Sequence, residues 1–125
     1  MIQDLITNNI NLEDGNKFAA IIGLNPSNGA RSPLLWNAAY SYYNDDTRML
    51  PIDVTANNLA KLLYELERNV DFVGGAITIP YKEDIVNWLG GNITDEANKI
   101  GAVNCLFRGQ DGSLCGTNTD GEASI

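Results

Sequence analysis

Apolar positions along the chain alternate between two rhythms. Lys17 to Leu24 is a short continuous apolar run that predicts a buried strand, and the loop formers Asn25-Pro26-Ser27-Asn28-Gly29 close it. Leu34, Leu35 and Ala38 then give an apolar face to a helix opened by Ser32 at the N-cap and Pro33 at the first helical position. Met49, Leu50, Ile52 and Val54 mark a second strand, in which Pro51 points to a sheet edge or an irregularity. Leu59, Leu62, Leu63 and Leu66 recur at i, i+3, i+4 and i+7, the core-facing stripe of a helix over 56–68 that Thr55 can cap. Asp71-Phe72-Val73 leads into a third strand ending in Ala76–Ile79. Ile85, Val86, Trp88 and Leu89 anchor a further helix that Gly90-Gly91 ends. A short helix over 95–99 starts at Thr94 and stops at Gly101. A strand over 102–108, a turn at Asp111-Gly112 and a return over 114–117 complete the pattern. The first sixteen residues predict a short helix around Ile2–Ile6 or nothing regular. Strands that alternate with helices, plus one late hairpin, predict an α/β fold: a mostly parallel, mixed sheet with helices on both faces.

Some positions carry chemistry as well as pattern. Pro80 suits the first turn of a helix, which sets Lys82 in that turn at the positive end of the helix dipole. The dipole opposes a cation there by roughly 0.3–1 kcal/mol. The lysine also projects from the carboxyl end of a strand, where α/β proteins keep their sites. A solvated surface lysine paired with a carboxylate is the alternative. Ser32 either only caps its helix, worth about 1 kcal/mol, or joins Arg31 and free N–H groups in holding an anion. Asn104 and Asp120 are equidistant from Gly112. A symmetric odd-numbered hairpin loop sets them on one face, whereas a two-residue loop sets them on opposite faces. Asn104 can equally be a strand-end hydrogen bonder, and Asp120 a helix N-cap.

Composition narrows the classes. A chain of 125 residues with 44% hydrophobic side chains predicts one domain, 1–125, with a real core. Eight basic against sixteen acidic residues give a net charge of −8, which argues against nucleic acid or a polybasic membrane contact as partner. No apolar run approaches a bilayer span, and the polar N-terminus lacks the features of a signal peptide, so a cytoplasmic protein is expected. Histidine is absent and Cys105 and Cys115 are the only cysteines. A zinc site built on Cys and His is excluded, as is a Ser-His or Cys-His nucleophile; no metal is expected, and proton transfer falls to Lys, Asp, Glu or Tyr. In the cytosol the two cysteines are expected as buried free thiols rather than a bridge.

The order Ser32-Pro33, Thr78-Ile79-Pro80-Tyr81-Lys82, Gly101-Ala102-Val103-Asn104 and Asn118-Thr119-Asp120-Gly121 resembles the N-terminal, substrate-binding half of the shikimate dehydrogenases, from about Phe18 to Gly121. The resemblance implies that Lys82 and Asp120 are the catalytic pair. They would exchange a proton with a substrate hydroxyl while hydride passes between the same carbon and NADP. It further implies that Thr78 and Asn104 hold ring hydroxyls and that Ser32 holds the carboxylate of a cyclic hydroxy acid. Three positions depart from the family pattern: Ala30 replaces the first serine of the carboxylate clamp, Gly29 the usual histidine, and Ala76 an asparagine. The family's nucleotide-binding domain is not expected in this chain, which has no Gly-x-Gly-x-x-Gly stretch. NADP is therefore expected to bind elsewhere in a longer protein. A binding module of the same fold without redox chemistry is the competing expectation.

Overall fold

The computed structural model describes residues 2–13 and 15–119. One sheet holds β1 (Phe18–Gly23), β2 (Arg48–Asp53), β3 (Phe72–Ile77), β4 (Cys105–Arg108) and β5 (Leu114–Thr117) in the order β2-β1-β3-β4-β5. β1 pairs in parallel with β2 and β3, while β4 is antiparallel to both its neighbours, so β4 alone runs against the rest. The helices are α1 (Ser32–Tyr42), α2 (Ala56–Arg68), α3 (Asp84–Leu89) and α4 (Asp95–Ile100), and a 3-10 turn at Ile2–Leu5 precedes β1. This is the α/β architecture the alternation predicts. Among the described residues no helix is long and apolar enough to cross a membrane.

Strand alternation decides which helix covers which face. Ala20 and Ile22 of β1, Ile52 of β2 and Ile77 of β3 meet the leucine stripe of α2 and Ile85, Leu89 and Ala97 in the main core. All four leucines of the stripe are buried, each contributing roughly 1.5–3 kcal/mol relative to exposure. Ala19, Ile21 and Met49 point the other way, toward Trp36 of α1 and toward Val73 and Ala76. Thr94 caps α4 through its hydroxyl, and Gly101 closes it at φ 79°, both as read from the sequence.

Several elements differ from expectation. α1 turns its predicted apolar face outward: Leu34 is 76% and Leu35 69% exposed, and Ala38 is exposed with them. It docks instead through Trp36 and through Asn37, whose side chain accepts from Met49 N–H at 2.6 Å and donates to Met49 O at 3.2 Å. Those backbone groups belong to β2, the edge strand that Pro51 signalled, so Asn37 blocks an edge otherwise open to pairing. Ser32 is not an N-cap either. Arg31 already has helical angles, and Ala30 N–H bonds to Pro26 O, so the winding begins ahead of Ser32.

Lys82 does not lie in the first turn of a helix, because α3 starts only at Asp84. Burial of Tyr81, whose hydroxyl donates to Val54 O at 2.7 Å, draws the chain inward. Residues 78–81 make a turn closed by Tyr81 N–H to Thr78 O, with a cis peptide bond at Ile79–Pro80. The third strand accordingly ends at Ile77, two residues before the predicted Ile79. The β4–β5 hairpin has an odd-numbered loop, Gly109–Ser113, but it centres on Asp111 rather than Gly112. Hydrogen bonds from the Ser113 hydroxyl and N–H hold the Asp111 carboxyl below its ordinary range. Cys105 and Cys115 are free, as expected, but only half-buried.

Candidate functional site

The shared direction of β1, β2, β3 and β5 delivers their carboxyl ends to one end of the sheet, and the reversed β4 starts there. Thr78 follows β3 directly, and its N–H donates to Ile22 O of β1 at 2.8 Å. Gly23 makes this approach possible: a Cβ at Gly23 would lie 2.4 Å from Thr78 Cγ2 and 2.9 Å from Ile79 O. The end of β3 is thereby pressed against the loop that leaves β1. Between them lies a cleft of about 420 Å³, lined by Leu24, Asn25, Pro26, Asn28, Gly29, Ala30 and Thr78–Pro80. A concavity of that size suits a small molecule. A larger hollow of about 600 Å³ opens at the opposite end, near Phe18, Glu65, Arg68 and Asp71, and none of the sequence-derived site residues lines it.

Lys82 is half-buried, and its carbonyl accepts Val103 N–H at 2.7 Å. That bond lays the Tyr81-Lys82 turn against the segment entering β4. Asn104 is the joint between strands. Its carbonyl accepts Ile77 N–H at 2.9 Å, and its own N–H donates to Thr117 O at 3.1 Å. Its side chain grips Thr119 twice, Nδ2 donating to Oγ1 at 3.1 Å and Oδ1 accepting the N–H at 3.2 Å. Thr119 immediately precedes Asp120, which lies outside the described residues. Continuing the register sets Asn104 across from Asn118, not from position 120. Asn118 is buried, and its Nδ2 donates to Ala102 O at 3.0 Å.

Thr78, Lys82 and Asn104 thus converge on one end of the sheet. Of these only Thr78 lines the cleft; Lys82 and Asn104 lie at the same end of the sheet without lining it, and Ser32, half-buried at the start of α1, stands just beyond the cleft-lining loop. Two further residues build this end. Tyr81 ties the turn to Val54, and desolvation, followed by the nearby Asp84 charge, raises its phenol above the ordinary range. Asp53, only 5% exposed, receives both the N–H and the hydroxyl of Ser27. A carboxylate at the end of the apolar run Met49–Val54 was the available signal for Asp53, since buried charges need partners.

A model of the shikimate dehydrogenase substrate binding domain matches residues 21–106. The chain belongs to the shikimate dehydrogenase substrate-binding domain family. A shikimate dehydrogenase (NADP(+)) of Alkaliphilus oremlandii is 33% identical over 114 residues, 91% of this chain and 38% of that protein. Shikimate 5-dehydrogenase from Thermus thermophilus, solved in complex with NADP(H) and shikimate, is similar at a TM-score of 0.77 and 28% identity, over 86% of this chain and 40% of that one. The ligand-free 5-ketofructose reductase of a Gluconobacter species gives a TM-score of 0.78 at 26% identity, over 90% of this chain and 39% of that one. The chain spans well under half the length of these relatives. The matched stretch of the shikimate dehydrogenase domain contains Ser32, Thr78, Lys82 and Asn104, while Asp120 falls beyond it. Of the three departures, Gly29 and Ala30 line the cleft, whereas Ala76 packs into the smaller core cluster.

Proposed function

We propose that this domain binds shikimate, or a closely related cyclic hydroxy acid, and that Lys82 and Asp120 exchange a proton with a substrate hydroxyl. That proton transfer is this chain's share of an NADP-dependent oxidoreduction on the shikimate pathway of aromatic amino acid biosynthesis, in the cytoplasm. One observation carries the reading: the hydrogen-bonded succession from Lys82 to Val103 and from Asn104 to Thr119. It gathers the lysine, the amide and the residue before Asp120 from three segments, beside the strand end that bears Thr78. In this reading Thr78 and Asn104 take ring hydroxyls, and Ser32 with Arg31 takes the carboxylate.

NADP(+) stands in the name of the Alkaliphilus oremlandii relative. The residues of this chain do not fit it. A dinucleotide needs a glycine-rich turn from strand to helix. Gly74-Gly75 is instead enclosed in β3, where a Cβ at Gly75 would lie 1.9 Å from Ala20 O, and Gly90-Gly91 follows the end of α3. We therefore assign the nicotinamide to no residue here.

Ala30 favours a second reading, a divergent module that holds a ring hydroxy compound without redox chemistry. Calorimetric titration with shikimate decides between them. Saturable binding that Thr78→Val weakens about tenfold is expected, the loss of one buried hydrogen bond. No binding overturns the proposal, and preference for an uncharged polyol over shikimate supports the second reading.

A further inference from the structure

Of the residues from Leu24 to Ala30, Ser27 alone does not line the cleft. It bonds to Asp53 instead, the last residue of β2. Asp53 Oδ1 accepts Ser27 N–H at 2.9 Å, and Oδ2 accepts the Ser27 hydroxyl. The backbone that bears this carboxylate is itself fixed. Asp53 N–H donates to Asn8 Oδ1 at 2.9 Å, and its carbonyl accepts Thr7 N–H at 2.8 Å. Besides this hold, the loop is tied at its ends by Leu24 N–H to Ile79 O at 3.3 Å and by Ala30 packed on the smaller core cluster, and Pro26 is the only buried residue between Leu24 and Ala30. Its internal bonds are the single turns Asn28 N–H to Asn25 O and Ala30 N–H to Pro26 O.

We infer that Asp53 is a positioning residue for the substrate cleft: through a two-point hold on Ser27 it fixes the wall formed by residues 24–30. Charge-assisted bonds of this kind are about twice as strong as neutral ones and fix direction as well as distance. The assignment rests on the reading of the cleft as a shikimate site.

Three variants separate the hold from the charge. Asp53→Ala removes both bonds, and Ser27→Ala removes one. Asp53→Asn keeps two points of contact, with Oδ1 accepting the N–H and Nδ2 donating to the hydroxyl. Two readouts are taken on the whole chain, the shikimate dissociation constant and hydrogen exchange at the Ser27 amide. Shikimate binding is expected to weaken about tenfold in Asp53→Ala, severalfold in Ser27→Ala and by less than about twofold in Asp53→Asn. Exchange at Ser27 is expected to accelerate in the same order. A folded Asp53→Ala that binds shikimate like the parent overturns the proposal, and so does an Asn variant as weak as the Ala variant. Should Asp53→Ala not fold, the ranking of Ser27→Ala below Asp53→Asn carries the same test. A parent that binds no shikimate overturns the functional reading and this role with it. The Ser27 amide, which needs no ligand, distinguishes that failure from failure of the hold.

Discussion

At the scale of single residues, Ala30 sets how the cleft can treat an anion. It lines the cleft beside Asn28 and Gly29, at the position where the family pattern has the first serine of a carboxylate clamp. A hydroxyl there supplies a donor to a charged group, worth about 1.5–3 kcal/mol. Ala30→Ser is therefore expected to tighten shikimate binding about tenfold or more, measured by calorimetry against the parent. An unchanged affinity would mean that Arg31 already holds the carboxylate or that the natural ligand carries none. The neighbouring departure is not as easily reversed. Gly29 sits at φ 97°, where any side chain is strained, so restoring the family's histidine would disturb the loop it was meant to complete. Tyr81 shows how one side chain redirects a segment. The Pro80 signal for a helix start was sound by local rules, yet a buried phenol bonded to Val54 outweighed it and delayed α3 to Asp84.

At the scale of elements, Arg108 links pieces that the sequence keeps far apart. From β4 its guanidinium donates to the carbonyls of Leu66, Glu67 and Asn69 at the end of α2, and to those of Phe72 and Gly112. Terminal carbonyls of a helix lack internal partners and carry the negative end of its dipole, so one cation satisfies several at once. Arg108→Met is expected to cost about 2–3 kcal/mol in urea denaturation. A loss below about 0.5 kcal/mol would show that water replaces the guanidinium without penalty. Such links also mark the limit of what the chain discloses. The α2 stripe and the Thr94 and Gly101 ends of α4 were legible because their causes lie within a few residues. The outward face of α1 was not, since its docking depends on Asn37 reaching Met49 on a strand not yet placed. The candidate site divides in the same way. The order of short motifs pointed to Thr78, Lys82 and Asn104, which the fold brings to one end of the sheet. Asp53 was signalled only as a carboxylate in an apolar run; its role was not, because its partner Ser27 is 26 positions away in a stretch that reads only as loop.

At the scale of the molecule, the candidate site exists only when the sheet is whole. Its parts follow β1, β2, β3 and β5 or precede β4, and the parallel order of β2, β1 and β3 brings three of them together. No single hairpin or helix pair contains the cleft. A ligand seated there binds the native state alone and stabilises it by mass action. At a free concentration a hundred times the dissociation constant the gain is about 2.7 kcal/mol. For a domain of this size that corresponds to a rise in Tm of roughly 10 °C. Ionic strength needs its own control, because a chain of net charge −8 is also stabilised when salt screens its self-repulsion. Scanning calorimetry with sodium shikimate is expected to show the full rise, and an equal concentration of sodium chloride only a small part of it. Equal rises with both salts would reduce the effect to screening. No rise at saturating shikimate would remove the ligand from this end of the sheet, leaving the fold intact and the cleft without its assigned occupant.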